Sequence, residues 1–407
     1  MRIAYFTHSL VSCWNHGNAH FLRGVLRELT RRGHAVMAYE PDGAWSLQNL
    51  LRDHGAVGLS AFHGAYPELD GTSYGAIEPV VDAVADADLV VVHEWNDPAL
   101  VAALGTARKH GAPYTLLFHD PHHRAVSDPE AMRRYDLSGY DGVLAFGETL
   151  AAIYRDGGWG ERTFVWHEAA DTRLFRPPPE AYEPRRAGLV WIGNWGDDER
   201  SAELERYLFR PADSVGLPLD VYGVRYPDAA RETLARYGVR YHGWAPNAEA
   251  PDLFARYLAT VHVPRRFYVE RLPGIPTIRV FEALACGIPL VSAPWDDAEG
   301  LFSPGEDYLV AADEPAMEAH LRALANEPEL RRSLAASGRA TIEARHTCRH
   351  RADELLAIAA WLGGDAHEDR DAHEAPAAFE IYGAHEVPVA GYGPDAVDSP
   401  GTPEHAA

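Results

Sequence analysis

Two successive series of apolar strand candidates, each interleaved with helical segments, constrain the fold of this chain more than any other feature. The first series lies within residues 1–170, and the second begins near residue 189. Short, near-continuous apolar runs are typical of strands in a parallel sheet that helices cover on both faces. The sequence therefore predicts an α/β fold with two doubly wound, Rossmann-like domains. The predicted strands are residues 3–6, 35–39, 89–93, 114–118, 143–146, 163–166, 189–192, 219–222, 239–241, 260–263, 290–292 and 308–310.

Changes in composition indicate where the domains begin and end. We expect an N-terminal domain over residues 1–175, a proline-rich linker over 176–187 and a C-terminal domain over 188–346. Residues 347–362 are predicted to form a helix that returns to the N-terminal domain. Residues 363–407 contain few large apolar side chains and are predicted to form a disordered acidic tail. Two such sheets would face each other across a cleft at the carboxyl ends of their strands, where ligands of these folds bind.

Charge and hydropathy exclude several classes of partner. The formal net charge is −23, which disfavours nucleic acid because like charges repel. No apolar run approaches the roughly 20 residues that span a bilayer, and the first residues lack the pattern of a signal peptide. We therefore expect a cytoplasmic protein without integral membrane contact. The three cysteines, Cys13, Cys286 and Cys348, are far apart, which argues against a disulfide or a zinc site.

The segment over residues 273–292 carries the most specific chemistry. Thr277 is placed to cap a helix whose first N–H groups would form an anion site suited to a diphosphate. Arg279 adds positive charge in the first turn, and Glu282 lies three residues later on the same face. A carboxylate there can accept two ribose hydroxyls. The loop at Gly274 and this helix are therefore predicted to bind the phosphates and the sugar of a nucleotide.

This segment resembles the donor-binding signature of the group 1 retaining GT-B glycosyltransferases. Its Arg-Val-Phe-Glu-Ala-Leu-Ala-Cys-Gly run is especially similar to the spore-maturation CgeB-like branch. Residues 171–177, 191–194, 239–244 and 303–310 resemble further segments of the same family, in the same order. The resemblance covers roughly residues 1–360. It implies a GT-B fold and the transfer of a sugar from a nucleotide-diphospho-sugar to an acceptor hydroxyl or amine, with retention and without a metal.

The resemblance also implies roles for individual residues. Glu282 would bind the donor ribose, and Arg279 would lie beside the phosphates. The family has a second glutamate eight residues before the position of Glu282, but Gly274 stands there in this sequence. Backbone amides, or a neighbour such as Glu270, would then contact the donor sugar. The donor-binding residues implied in this way are Gly17, Asn18, Gly193, Asn194, Arg200, Gly243, Trp244, Gly274, Thr277 and Ile278.

Polar residues at strand ends of the N-terminal domain are candidates for the acceptor side. His119 matches a family histidine near the reacting sugar carbon, where it could polarise the donor or orient the acceptor hydroxyl. His119, Glu282 and Arg279 are therefore the predicted catalytic residues. His93, Glu94 and Asp120 are acceptor-side candidates. The alternative is that the strand-end histidines are hydrogen-bonded structural residues.

The sequence predicts no metal site and no cofactor. His119, Asp120, His122 and His123 are close in sequence, but their spacing matches no standard ligand set. The nucleotide-sugar would act as a co-substrate, with UDP, GDP and dTDP all left open as its nucleotide. The acceptor would be a small molecule or a polysaccharide.

Two other functions are compatible with the sequence. One is a nucleotide-sugar 2-epimerase of the same fold, which would act on its substrate without any acceptor. The other is a binding module on a catalytically decayed transferase, which the glycine at position 274 favours. Epimerisation without an acceptor would identify the first, and failure to bind any nucleoside diphosphate would favour the second.

Overall fold

The structure is a computed structural model that describes residues 1–160, 162–178 and 188–364. Within these ranges the chain forms two fully parallel sheets of seven and six strands, with helices packed on their faces. The prediction of two doubly wound α/β domains is thus confirmed. Most of the predicted linker, from residue 179 on, and the predicted tail from residue 365 on lie outside the described residues.

The first sheet has the strand order β3-β2-β1-β4-β5-β6-β7. Every residue of its central strands β4 and β5 is buried, as expected for a sheet covered on both faces. Strand β3 was not predicted, because this edge strand is short, mostly exposed and without an apolar run. The strands are β1 (Arg2–Phe6), β2 (Ala35–Pro41), β3 (Gly71–Tyr74), β4 (Leu89–His93), β5 (Thr115–Asp120), β6 (Gly142–Ala145) and β7 (Thr163–Val165).

The second sheet has the order β10-β9-β8-β11-β12-β13. All strands predicted in this half are present, and their ends differ from the prediction by no more than two residues. Their registers place the carboxyl ends of β8, β11 and β12 at one edge of the sheet. The strands are β8 (Leu189–Ile192), β9 (Leu219–Tyr222), β10 (Arg240–Gly243), β11 (Ala259–His262), β12 (Leu290–Ser292) and β13 (Leu309–Val310).

Helices connect the strands in both halves. In the N-terminal half they are α1 (Ala19–Arg31), α2 (Trp45–His54), α3 (Val57–Ala65), α4 (Ile77–Ala83), α5 (Pro98–Lys109), α6 (Arg124–Ser127), α7 (Pro129–Met132) and α8 (Glu148–Asp156). In the C-terminal half they are α9 (Ser201–Leu204), α10 (Arg210–Val215), α11 (Asp228–Arg236), α12 (Ala250–Phe254), α13 (Arg266–Glu270), α14 (Ile278–Ala285), α15 (Glu314–Asn326), α16 (Pro328–Arg345) and α17 (Cys348–Gly363). A π-helical turn, Glu205–Phe209, joins α9 to α10.

Helix α17 packs on the N-terminal domain. Thr347 caps it through a capping box with His350, and the Sγ of Cys348 lies 3.9 Å from the carbonyl oxygen of Phe21 in α1. Trp166 donates its Nε1 hydrogen to the carbonyl oxygen of Arg351 at 3.0 Å. The chain thus crosses back to the first domain after completing the second.

No helix in the described part of the chain is both long and apolar enough to cross a bilayer.

The two lobes contact each other along the carboxyl ends of their sheets. Asn194, just after β8, donates its Nδ2 hydrogen to Oδ1 of Asn15 at 2.6 Å. The hydroxyl of Thr149 in α8 donates to the carbonyl oxygen of Pro273 at 2.7 Å. An apolar cluster extends through both domains and includes Phe21 of α1 and Phe281 of α14. Residues from both lobes therefore line one site.

Candidate active site

Helix α14 begins at the interface between the lobes. Thr277 occupies its N-cap position with extended backbone angles, but the Thr277 side chain does not cap the helix. The predicted cap by Thr277 is therefore wrong. The Thr277 hydroxyl instead lies 3.1 Å from Nε2 of His262, and the Nδ1 of that histidine lies 2.9 Å from Ser292 Oγ. Thr277 thus leaves the amides of the first turn uncapped by its side chain, and free helix amides are the arrangement that binds anions.

Arg279 and Glu282 form an ion pair on the first turns of α14. Glu282 is fully buried, whereas about a quarter of the Arg279 side chain, 27%, is exposed. Burial alone would raise the pKa of the Glu282 carboxyl, but Arg279, together with His20 and Asn247, lowers it below its usual value. The carboxylate is therefore ionised inside the protein, and the pair is not an ordinary surface salt bridge.

The other contacts of Glu282 reach across the interface. Its Oε1 lies 3.0 Å from Nδ1 of His20 in α1 and accepts a hydrogen from Nδ2 of Asn247 at 2.8 Å. The Nε2 of His20 accepts a hydrogen from the backbone of Asp171 at 2.7 Å, so the Nδ1 of His20 is the nitrogen that donates to Glu282. In this conformation protein donors surround the carboxylate that the sequence assigns to the ribose.

Two further arginines lie beside the start of α14. Arg200 donates to the carbonyl oxygen and to Oδ1 of Asn194, at 2.8 and 2.6 Å, and to the carbonyl oxygen of Val263 at 3.3 Å. Arg265 donates to the same Oδ1 of Asn194 at 3.2 Å and pairs with Glu199. Burial and then the charge of Arg265 lower the pKa of Arg200 to about 9. Positive charge is thus concentrated at this edge of the second sheet.

The guanidinium of Arg200 retains an unused donor. Its Nε is buried and has no hydrogen-bond partner among the described residues. A buried donor without a partner costs about 1–3 kcal/mol, which favours a ligand that can accept from it. Arg200 was predicted as a donor-binding residue. It follows β8, and Arg279 lies on a helix that follows β11, the neighbour of β8 in the sheet.

Loops from both sheets surround the arginines. Gly17 packs against Ile278 at the start of α14, where an added Cβ would lie 3.6 Å from Ile278 Cγ2. Asn18 stands at the N-cap of α1, but its side chain does not cap that helix and donates to the carbonyl oxygen of Pro121 at 3.1 Å. The carbonyl oxygen of Gly193 lies so close to Gly223 that a Cβ there would approach it to 1.9 Å. The structure therefore places Gly17 and Ile278 together at the start of α14, and Gly193 and Asn194 in the loop that contacts Arg200.

A cavity of about 600 Å³ opens between the lobes beside this site. Gly243 and Trp244 line it from the C-terminal domain, and the ring of Trp244 lies 4.5 Å from the ring of His54 in α2. Trp14 lines the opposite wall. The Nε1 of Trp244 is buried and has no partner in the ranges that the structure covers. The cavity thus offers several aromatic faces and an unused donor.

The predicted catalytic histidine lies deeper in the N-terminal domain. His119 is buried, its Nδ1 lies 2.5 Å from the hydroxyl of Tyr5, and its ring packs against Trp166 and His93. Burial lowers the pKa of His119 to about 3, so the ring is neutral. Its Nε2 is buried and has no partner in the described structure, and the same holds for Nε2 of His93. Among the described residues, His119 contacts Tyr5, Phe21, His93 and Trp166, which all belong to its own domain.

The acceptor-side carboxyls Glu94 and Asp120 are also buried. Glu94 pairs with Arg124 at 2.5 Å, and Asp120 accepts from the hydroxyl of Tyr154 at 2.7 Å. Burial raises the pKa of Asp120 to about 6, and burial together with Asp120 raises the pKa of Glu94 well above its usual value. By contrast, His123 reaches the other lobe, where its ring stacks on Phe267 at a centroid distance of 5.1 Å.

The loop before α14 contains Gly274, whose φ of +87° favours glycine. Its N–H donates to the carbonyl oxygen of Asp296 at 2.9 Å. Glu270, the suggested substitute for the family glutamate, is exposed at the end of α13. The carboxyl group beside Gly274 is instead that of Glu299, from the loop after β12.

Several residues of this site could not be identified from the sequence. Arg265 follows β11, as polar site residues often do in parallel sheets, and that position was its only signal. His20 lies on the apolar helix α1, and Asn247 and Glu299 lie in loops without a motif. Among the described residues, no three His, Cys, Asp or Glu side chains are arranged to hold a metal ion.

Comparison with known proteins defines the class of this two-domain fold. The chain is similar to three solved structures, each with 99% of its own length covered. HepE from Anabaena, in complex with UDP and glucose, is 15% identical over 88% of this chain, with a TM-score of 0.62. A glycosyltransferase from Rickettsia africae is 10% identical over 90%, with a TM-score of 0.62. Sucrose-phosphate synthase from Thermosynechococcus elongatus is 15% identical over 89%, with a TM-score of 0.58. These likenesses show the GT-B fold.

The family comparison adds the type of protein. Residues 200–357 match the protein-family model described as glycosyl transferase-like. A search of curated proteins finds no match. The family match and the fold together confirm the resemblance to group 1 GT-B glycosyltransferases, and the chain is an enzyme of the glycosyltransferase class. The closer resemblance to the CgeB-like branch stays a prediction.

Proposed function

We propose that this protein transfers a sugar from a nucleoside-diphosphate sugar to a hydroxyl or amine of an acceptor, with retention at the anomeric carbon and without a metal. One observation carries the proposal. Arg200, Arg265 and Arg279 converge at the uncapped start of α14, at the interface of the two lobes. The solved structures of HepE contain UDP or UDP-glucose, which are ligands of this chemical class.

The charges at this place suit a diphosphate leaving group. Guanidinium groups bind phosphate oxygens through two parallel hydrogen bonds, and helix amides add further donors. Negative charge develops on the diphosphate as the bond to the sugar breaks, so donors that are already in position stabilise the transition state. The unused Nε of Arg200 is one such donor.

Glu282 would bind the ribose once Arg279 releases one of its oxygens. A carboxylate offers about four acceptor positions, and His20, Asn247 and Arg279 use three of them. Arg279 is partly exposed and can turn to the phosphates, which releases Oε2 of Glu282 for ribose hydroxyls. The cavity lined by Trp14, Tyr241 and Trp244 would take the base, which can stack on aromatic faces.

Retention follows from attack on the face that the diphosphate leaves. The acceptor oxygen forms a bond to the anomeric carbon while the bond from that carbon to the phosphate oxygen breaks. The departing phosphate oxygen takes the acceptor proton, so no enzyme nucleophile is required. The three guanidinium groups supply positive charge for the leaving group, which supports a reaction without a metal. The acceptor, a small molecule or a polysaccharide, would bind on the N-terminal lobe near His119.

A thermal-shift screen with UDP, GDP, dTDP and CDP tests the donor site. A nucleotide that binds the folded protein raises its melting temperature by mass action. We expect one of the four to do so in the wild type and not in Glu282→Gln. Glu329→Gln, in the exposed ion pair with Arg332, is the control and should keep the shift. An equal shift in Glu282→Gln would contradict the site.

The matching nucleotide-sugar then tests the reaction. We expect release of the nucleoside diphosphate to accelerate when an acceptor is present, and to continue after treatment with EDTA. Retention is checked by NMR of the product anomer. Epimerisation of the donor without any acceptor would instead indicate the 2-epimerase.

A further inference from the structure

Position 274 cannot supply a side chain to the donor sugar. Besides being glycine with a positive φ, it faces Glu299 so closely that an added Cβ would lie 3.0 Å from Glu299 Cγ and 3.2 Å from its Oε1. Contacts this short force the neighbouring group to move. Glu299 therefore fills the space in front of Gly274.

Both carboxylate oxygens of Glu299 contact residues of the N-terminal lobe. Its Oε1 accepts a hydrogen from the backbone of Glu148, the first residue of α8, at 2.9 Å. Its Oε2 lies 2.8 Å from Nε2 of His167, which follows β7. Glu299 thus caps α8 from the opposite lobe and also binds a histidine there. Because both oxygens of Glu299 have protein partners, neither is left to bind the donor sugar.

The next residue after His167 is a carboxyl group with an unused oxygen. Glu168 is almost completely buried, at 2% exposure, and its Oε1 has no hydrogen-bond partner among the residues that the structure describes. Burial and then the charge of Glu282 raise the pKa of Glu168, whereas Arg279 lowers it. Burial and then Glu168 raise the pKa of Tyr268 in α13. Glu168 is therefore near enough to α13 and α14 of the other lobe to interact with the charges of the pair assigned to the nucleotide.

A buried carboxyl oxygen without a partner destabilises the folded protein, and Glu168 has this property where the lobes meet. The contact between His167 and Glu299 fixes the position of the backbone at Glu168, the next residue, when the lobes are together. This arrangement leaves an unpartnered hydrogen-bonding group at the junction of the lobes, one residue from the contact of His167 with Glu299. Sugar hydroxyls, which both donate and accept, are the chemical partners that such a carboxyl group suits.

We propose that Glu168 binds hydroxyl groups of the sugar attached to the nucleotide and so selects the donor sugar. The inference rests on the proposed donor site at α14. Glu168 then binds the sugar of the donor, Arg279 binds its phosphates and Glu282 binds its ribose. It is a substrate-binding residue that the N-terminal lobe contributes to a donor held mainly by the C-terminal lobe.

Calorimetry with paired ligands separates this role from a structural one. Wild type, Glu168→Gln and Glu168→Ala are titrated with UDP and UDP-glucose, and with GDP and GDP-mannose. For the pair that binds, we expect both variants to keep the affinity for the nucleoside diphosphate within about twofold and to lose about tenfold or more for the nucleotide-sugar. Glu329→Gln, an exposed carboxyl on α16 far from the proposed donor site in sequence, should change neither affinity.

Each other outcome has a definite meaning. A nucleotide-sugar affinity unchanged in both Glu168 variants would overturn the proposal. Equal losses for nucleotide and nucleotide-sugar would also overturn it, because Glu168 would then only support the fold. The isosteric Glu168→Gln removes an unpartnered buried carboxyl, so its melting temperature should match or exceed that of the wild type. A wild type that binds none of the nucleotides would contradict the proposed function itself.

Discussion

The imidazole of His20 joins Glu282 of the other lobe to the end of its own domain. Its Nδ1 lies 3.0 Å from Oε1 of Glu282, and its Nε2 accepts from the backbone N–H of Asp171 at 2.7 Å. The ring also stacks on Phe175 at a centroid distance of 3.7 Å. These contacts fix the tautomer and orientation of His20, and they help to keep a fully buried carboxylate ionised at the proposed donor site.

Replacement of His20 by alanine should destabilise the protein. The change leaves Glu282 short of one donor and the Asp171 N–H without an acceptor, and it removes the stacked ring from Phe175. We expect the free energy of unfolding to fall by roughly 1–3 kcal/mol. Urea denaturation measures this. His110→Ala, at an exposed helix end, is the control, and an equal loss in both variants would contradict the role given to His20.

Arg200→Lys should weaken nucleotide binding although the charge is kept. Lysine cannot reproduce the fork that contacts Asn194 and Val263 and still keeps a further donor, Nε, without a partner among the described residues. We expect the affinity for the nucleoside diphosphate to fall on the order of tenfold. Arg210→Lys changes an exposed arginine that pairs with Glu314, and calorimetry should find its affinity unaltered. Full affinity in Arg200→Lys would remove Arg200 from the site.

Gly274→Ala should cost more stability than the same change at Gly305. Both glycines have positive φ, +87° and +92°, so both substitutions introduce backbone strain of about 1–2 kcal/mol. Only at Gly274 does the added Cβ also meet Glu299, since no atom of the described residues lies within 4 Å of a Cβ at Gly305. The difference in free energy of unfolding between the two variants measures the contact. Equal losses would show that Glu299 does not fill this space.

Acid should destabilise the protein through a cluster of buried histidines at strand ends of the first sheet. Burial lowers the pKa of His119 to about 3 and of His8 and His123 to about 4, from an ordinary value near 6.5. Between these values the unfolded chain binds protons that the folded chain does not. The stabilisation is therefore complete above about pH 6.5 and is lost as the pH falls toward the lowered values. His16, His93 and His122 have lowered pKa values as well.

The buried carboxyls act in the opposite direction. The pKa of Asp120 is raised to about 6 and that of Glu94 is also raised, so their folded forms hold protons more tightly and offset part of the loss. Because the histidines are more numerous, we expect the free energy of unfolding to fall from pH 7.5 to pH 5. His119→Gln should reduce the slope, and His110→Gln should not. Stability that stays constant over this range would contradict the assignment.

Much of the fold could be predicted because parallel strands buried on both faces have short apolar runs. The strand β3 was missed because Gly71–Tyr74 is an exposed edge whose pairing depends on β2 and not on its own pattern. Arg279 and Glu282 were recognisable because both lie in one helical motif. Their partners were not, since His20 is 262 residues away from Glu282 and lies on a helix that reads as apolar packing. Contacts made only by folding, such as Glu299 with Gly274, have no local signature.

Calorimetric titration of Arg279→Gln tests the central claim most directly. The nucleoside diphosphate that binds the wild type is titrated into this variant and into Arg332→Gln, which disrupts a matched but exposed pair three residues apart on α16. The account predicts that Arg279→Gln loses about tenfold or more in affinity and that Arg332→Gln binds like the wild type. Wild-type affinity in Arg279→Gln would contradict a nucleotide site at the start of α14.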